Sequence, residues 1–329
     1  MLVEFFDQLL WGSFLGKEGW FWLIFFSLVT FLLILDLGVF HKKDHEISIK
    51  ESLYTSLGYV LIALLFGAWV WYSLGDEAGK NYLTGFLVEK TLAIDNIFVI
   101  SLIFSFFAIP RIYQHRVLFW GIIGVIVLRG IMIGLGSTLV QQYHWILYIF
   151  GVFLVLTGIK MLLFINHEPQ LEKNILIKFL RRLLPVTKEL RGNSFFSREA
   201  THENPGKKRL FVTPLFLALI MVEIIDLIFA VDSIPAIFAI TQDTYIVYTS
   251  NIFAVLGLRA LYFALAAIIH KFHYLKYALA MILIFIGSKI FVADLFDGKF
   301  PAELSLAVTL ILLIGGILYS IIKTRTPKL

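Results

Sequence analysis

The chain of 329 residues contains no cysteine. Disulfides, thiolate metal sites and thiol redox chemistry are therefore excluded. Charge is also scarce. Only 16% of residues are Asp, Glu, Lys or Arg, against 59% hydrophobic, where a soluble domain carries about 25% charged residues. That balance belongs to a polytopic membrane protein. There is no GxxxxGK[ST] stretch, which disfavours ATP-driven chemistry. The net charge of +5 does not point to nucleic acid, because the basic residues sit in loops beside the apolar runs. The first eleven residues carry Glu4 and Asp7 and lack a basic start, unlike a secretory leader. They read as a short interfacial helix with Phe5, Phe6, Leu9 and Leu10 inward.

Hydropathy and length give nine candidate spans, at 21–40, 53–74, 82–107, 117–140, 145–165, 211–240, 246–269, 277–296 and 304–322. Trp20, Trp22, Trp71, Tyr72, Tyr143 and Trp145 fall near span ends as interface anchors. Gly121, Gly124, Gly130, Gly134 and Gly136 read as small-residue helix packing. The expected organisation is a segment 1–20 at the outer face, two helices over 21–74, a three-helix unit over 82–165, a basic loop over 166–210, a second three-helix unit over 211–296, and a last helix with its tail over 304–329.

The loops alternate sharply in positive charge. One side carries twenty Lys and Arg, ten of them between Asn166 and Leu210; the other carries only Lys17, Lys80 and Lys299. The positive-inside rule places the twenty in the cytoplasm, with the C-terminus, and the N-terminus on the periplasmic side. Within the long loop, LEKNILIKFLRRLL (Leu171–Leu184) has the pattern of a basic amphipathic helix on the inner leaflet, ended by Pro185. Asn193–Thr213, with turn formers Asn204–Pro205–Gly206, reads as a small hairpin.

Acidic residues occur where membrane proteins avoid them. Val222–Ala239 reads VEIIDLIFAVDSIPAIFA and puts Glu223, Asp226 and Asp232 inside a long apolar run. A charge at mid-membrane costs at least about 2.5 kcal/mol, so these acids need a partner, a proton or a metal ion. Val88–Ile100 reads VEKTLAIDNIFVI, and aligning Glu89 with Asp226 brings Asp95 onto Asp232. The correspondence continues through Arg129 and Arg259, and through the Gly-x-Lys pairs Gly158–Lys160 and Gly287–Lys289. Spans three to five thus match spans six to eight. With three spans per unit, the second enters from the opposite side, giving an inverted 3+3 repeat with its site near the midplane on discontinuous helices. The fold expected is all-α with about nine transmembrane helices.

On an unbroken helix Glu89 and Asp95 lie 240° apart, whereas Glu223 and Asp226 share a face. Pro235, three residues after Asp232, lacks the donor of a helical residue. An opened backbone there would turn Asp232 toward Asp226 and free carbonyls for a cation. Asn96 adds an amide oxygen, and Asp36 in the first span is a further acid. The set is all oxygen, which suits hard ions such as Mg²⁺, Ca²⁺ or Mn²⁺. Clustered carboxylates in a low dielectric repel, so some would hold protons until a cation displaces them, a basis for metal–proton exchange. Two other readings compete. The acids pair with Arg129, Arg259, Lys160 and Lys289 as structure alone, and His41, Asp44, His45 and Glu46 form either a metal-gathering patch or a solvated loop.

The segments TPLFLALIMVEIIDLIFAVDSIPAIFAIT (Thr213–Thr241), VEKTLAIDNIFVISLIF and LGLRALYFAL strongly resemble the TerC family of integral membrane proteins. Length and layout are similar to its bacterial, Alx-like branch. The resemblance covers nearly the whole chain and implies an inner-membrane exporter of Mn²⁺, with Mn²⁺ as transported ion and no organic cofactor. The family's acidic motif positions fall on Glu89, Asp95, Asn96, Glu223, Asp226, Asp232 and Ser233. Expected partners are the divalent ion and the lipid bilayer. The rivals are a non-transporting scaffold that docks through the 166–210 loop and an exporter of small organic solutes, which would need an apolar subsite beside the charges.

The absence of cysteine makes the orientation directly testable. Cysteines introduced at Asn193 and Lys328 should be shielded from a membrane-impermeant thiol reagent in intact cells, and one at Gly75 labelled. Labelling at Asn193 would reverse the assignment.

Overall fold

The computed structural model describes residues 10–36, 46–143, 145–163, 182–187, 189–201, 204–266, 275–292 and 300–325. The first nine residues, the 37–45 loop with His41, Asp44 and His45, and nearly all of the 171–184 segment lie outside them. Among the described residues, nine helices have seventeen or more residues. They are α1 (Gly19–Leu35), α2 (Ile49–Leu74), α3 (Asp76–Phe106), α4 (Arg111–Gln142), α5 (Trp145–Leu163), α6 (Pro214–Phe238), α7 (Thr244–Ala266), α8 (Leu275–Val292) and α9 (Ala302–Arg325). Six of these, α2, α4, α5, α6, α7 and α9, are long and apolar enough to cross a membrane, with α1 and Tyr277–Val292 of α8 as shorter apolar helices.

Local chemistry sets the helix ends. Ser48 and Glu51 cap α2 reciprocally, the arrangement that satisfies two otherwise unpaired backbone donors. Gly75 joins α2 to α3 at φ +94, a conformation that a side chain rarely tolerates. Pro110 precedes α4, and Pro214 opens α6, where a missing N–H removes nothing from the helix. Asp243 accepts from Tyr245 N–H at 3.1 Å at the start of α7.

Burial arranges the helices around α7. Of its most apolar window 89% is buried, against 17% for α5 and for α9. α7 is thus the central post, while α5 and α9 turn most of their surface outward. The outward residues are apolar: Leu65, Leu135, Leu156 and Ile311 are all exposed. Hydrocarbon surface of this kind fits lipid better than water. The main apolar core gathers Phe25, Phe66, Tyr245, Tyr248 and Phe253, with Phe66 and Phe253 ring centroids 4.8 Å apart.

The two three-helix units exchange contacts. α3 packs on α7 and α4 on α6, which are corresponding pairs in the sequence repeat. α5 packs on α8 through glycines. A Cβ at Gly158 would stand 2.7 Å from Ala280 O, and one at Gly287 would stand 2.6 Å from Gly151 O. Gly158 corresponds to Gly287, and Gly151 to Ala280, so each contact is the counterpart of the other.

Two expectations are corrected. α3 and α6 run as unbroken helices through their acidic motifs. Pro235 lies inside α6 without opening it, and the helix runs on to Phe238. Its missing N–H removes one backbone bond, a loss that membrane helices tolerate. The 193–213 hairpin does form, as β3 (Phe196–Thr201) antiparallel to β4 (Asn204–Val212), with Thr201 opposite Asn204. Asn204–Pro205–Gly206 therefore starts β4, next to an irregularity at Ala200/Thr201, instead of making the turn. A smaller hairpin, β1 (Ser13–Phe14) with β2 (Lys17–Glu18), precedes α1.

The α5–α8 seam has a measurable signature. Gly287→Ala should lower the Tm of the detergent-solubilised protein, since the added methyl meets backbone and overpacking costs about 1–3 kcal/mol. Gly315→Ala in α9, where nothing lies within 4 Å, should leave it unchanged or raise it, because alanine favours the helix.

Candidate functional site

The acidic helices meet at Arg129 of α4, which is 1% exposed. Its Nη1 donates to Glu89 Oε1 of α3 and, at 2.6 Å, to Asn251 Oδ1 of α7. Its Nε and Nη2 donate to the two oxygens of Asp226 on α6, at 3.1 and 3.3 Å. The guanidinium of α4 is thus filled from three other helices, with the two-pronged grip on Asp226 that planar arginine favours. Glu89 and Asp226, aligned across the repeat, share one cation.

Arg259, aligned with Arg129, sits in a second pair. It is 5% exposed, its Nη1 donates to Leu118 O, and its Nη2 lies 3.7 Å from Glu223 Oε1. At that distance the pair is Coulombic without a hydrogen bond. The positions are reciprocal. Arg129 meets Asn251, eight residues before Arg259, and a Cβ on Gly121, eight residues before Arg129, would overlap Arg259. Gly121 also keeps room for Glu223, as does Gly124, whose added Cβ would overlap Glu223 Oε2. These glycines do more than pack helices: they open the space in which Glu223 stands.

Several oxygens here are buried without a hydrogen-bond partner: Glu89 Oε2, both oxygens of Glu223, Asn96 Oδ1 and Ser233 Oγ. Desolvated acceptors left unpaired are unfavourable by about 1–3 kcal/mol each, more when charged. All five belong to the residues singled out from the sequence. The arginines neutralise part of the acidity. Glu89, Asp226 and Glu223 face two guanidinium groups, and Asp95 and Asp232 lie six residues further along the same helices. The side chains of Asp95 and Asp232 are not among those described. Among the described residues no three His, Asp or Glu side chains gather as a ready-made metal cage.

Other expected members stand elsewhere. Asp36 ends α1 away from Arg129, with Oδ2 3.3 Å from His115 Nε2. Lys160 does not pair with these acids: it is exposed in the last turn of α5, where its position on the outward helix carries it off the acidic cluster. Lys289 is buried but donates to Ser305 Oγ of α9 at 3.2 Å, because α8 turns that face to α9. Of the four basic residues expected as charge partners, the two arginines alone serve the acids. Asn251, Gly121, Gly124 and His115 were not marked by the sequence as site residues. The available signal was their register: Asn251 and Gly121 precede the two arginines by the same interval.

Removing the shared cation should be severe. Arg129→Gln leaves Glu89 and Asp226 buried without their charge partner, a change of about 3–5 kcal/mol. It should greatly reduce folded yield, and adding Asp226→Asn should recover part of the loss, as measured by thermal unfolding in detergent. A single variant as stable as the unmodified protein would contradict the observed pairing.

Residues 74–328 match the integral membrane protein TerC family. The chain is 51% identical to an uncharacterized membrane protein of Rickettsia bellii over 303 residues, covering 92% of this chain and 97% of the relative. It is 44% identical to proteins named "Putative membrane-bound redox modulator Alx" in Photorhabdus laumondii, over 93% of this chain and 94% of the relative, and in Escherichia coli O6:H1, over 91% and 90%. No solved structure matches. With its apolar helices and a match that spans well over half its length, this multi-pass chain belongs to the TerC family of integral membrane proteins.

Proposed function

We propose that this protein is a secondary transporter, not an enzyme, that exports divalent metal cations, Mn²⁺ foremost, across the bacterial inner membrane in exchange for protons. The observation that carries the reading is the set of buried oxygens without a hydrogen-bond partner on Glu89, Asn96, Glu223 and Ser233, all on α3 and α6, of which Glu89 and Glu223 stand beside the two arginines. Oxygen donors of this kind suit a hard cation. Asp95 and Asp232 complete the proposed donor set from the same helices. The arginines hold some acids in place and leave others for the ion.

In this reading all nine helices span the bilayer, with the N-terminus periplasmic and the C-terminus cytoplasmic. α3–α5 and α6–α8 are the two halves of an inverted repeat. The reciprocal contacts support it: α3 with α7 against α6 with α4, and Gly158–Ala280 against Gly287–Gly151. Inverted halves are the usual basis for opening one site alternately to either side. Because α3 and α6 are continuous, the proposed ligands are side chains instead of freed backbone carbonyls. Two of the relatives are named for redox modulation; a thiol-based form of it is closed to a chain without cysteine.

Purified protein in sealed vesicles should move Mn²⁺, tested beside Mg²⁺ and Ca²⁺. Asp95→Asn or Asp232→Asn should abolish flux while the protein still inserts, and Asp44→Asn or Glu46→Gln should keep most of it. No flux of any divalent ion would favour a scaffold instead.

A double-mutant cycle then addresses whether the halves share one ion. Asp95→Asn and Asp232→Asn should be non-additive in metal affinity, because groups acting as a unit lose most of their effect with the first removal. Full additivity would mean separate sites.

A further inference from the structure

A cavity opens between α1, α2, α4 and α7, apart from the Arg129 cluster. Its lining includes Asp36, Ile47, Tyr59, His115, Ile122 and Arg259. The residues sort by depth. Asp36 closes the end of α1, Ile47 precedes α2, and His115 lies in the second turn of α4. Ile122 is seven residues further along α4, about 10 Å deeper at 1.5 Å per residue. Arg259 belongs both to this cavity and to the pair with Glu223. The cavity therefore runs from helix ends, where Asp36 faces His115, to the guanidinium beside Glu223. Its rim lies on the side of Lys50, Arg111 and Arg116.

We propose that Asp36 and His115 form an outer subsite for a divalent transition-metal cation, at the rim of a cavity whose floor is the Arg259–Glu223 pair. The inference rests on the transport reading for its role, and on geometry for the site itself. Asp36 Oδ2 and His115 Nε2 are 3.3 Å apart. Two ligands held about 2.1–2.2 Å from one ion at a right angle stand about 3 Å apart, so the pair already has roughly the bite of adjacent coordination positions. Asp36 is 6% exposed, which gives its carboxylate a strong incentive to keep a cationic partner. An imidazole beside a carboxylate favours transition ions over Mg²⁺ and Ca²⁺. The central set is all oxygen and discriminates among hard ions poorly. A nitrogen ligand at the rim supplies the selectivity that the deeper oxygens lack. The Arg259 charge at the floor keeps a waiting ion on the rim side of Glu223.

Pulsed electron paramagnetic resonance on the purified full-length protein with substoichiometric Mn²⁺ reads this directly, because an imidazole ligand adds a nitrogen hyperfine coupling. The coupling should be present in the unmodified protein, persist in Glu223→Gln, and vanish in His115→Gln. His115→Asn gives the same readout if the glutamine variant folds poorly. In vesicles, His115→Gln should raise the half-saturating Mn²⁺ concentration several-fold, hold the maximal rate near that of the unmodified protein, and narrow the preference for Mn²⁺ over Mg²⁺. No nitrogen coupling in the unmodified protein, or coupling that survives loss of His115, would overturn the subsite and leave Asp36–His115 as a tie between α1 and α4. Coupling without flux would keep the subsite and defeat the transport reading; flux without coupling would do the reverse.

Discussion

A single guanidinium is the constraint on which this structure depends. Arg129 is 1% exposed and binds Glu89, Asp226 and Asn251. None of these charges is tolerable alone in a low-dielectric interior, and each is tolerable because the others are held at hydrogen-bonding distance. The arrangement fixes the mutual placement of α3, α4, α6 and α7 more sharply than apolar contact would. Leucine and phenylalanine can slide and repack, but a forked donor on two carboxylate oxygens has few alternatives. The same node sets the electrostatics of the site. It binds two carboxylates, cancelling one of their two negative charges, and leaves Glu223 with a weaker partner 3.7 Å away. The better-held acids build the frame, and Glu223 is the loosely held one.

Much of this was legible in the sequence. The acidic motifs, the buried arginines and their register marked most of the residues that meet, and the oxygens without a hydrogen-bond partner belong to residues named from the acidic stretches and the family resemblance. The partners of each charge were less legible. Lys160 and Lys289 stand in register with each other, yet the first faces outward and the second reaches Ser305. Register reports correspondence between copies; it does not report which face of a helix meets which neighbour. The proline failed for another reason. One missing N–H bond is tolerated within a packed membrane helix, and α6 stays continuous past Pro235 to Phe238. Hairpin formation was predictable from the flanking apolar residues, whereas the turn shifted because Asn204–Pro205–Gly206 entered β4.

Glycine has two functions here that the sequence does not separate. At Gly151, Gly158 and Gly287 it brings backbone against backbone between α5 and α8. At Gly121 and Gly124 it clears a volume that a carboxylate fills. Both need a missing Cβ, and only the identity of the neighbour tells them apart. The contrast explains why the glycines of α4 were attributed to packing: helix association is the commoner use of small residues in membranes.

The Arg129 node also sets an order of events for a chain made from its N-terminus. Its hydrogen-bond partners lie 40, 97 and 122 residues away in sequence. Glu89 emerges first and Arg129 forty residues later, so these two can neutralise each other early. Asp226 and Asn251 follow only after the long basic loop has been synthesised. Until then the guanidinium holds one carboxylate, and Asp226, when α6 arrives, must find an occupied partner and share it. Assembly of the first three-helix unit is thus provisional, completed by residues from the second. A nascent chain halted in the long loop would hold Arg129 without two of its three partners, Asp226 and Asn251.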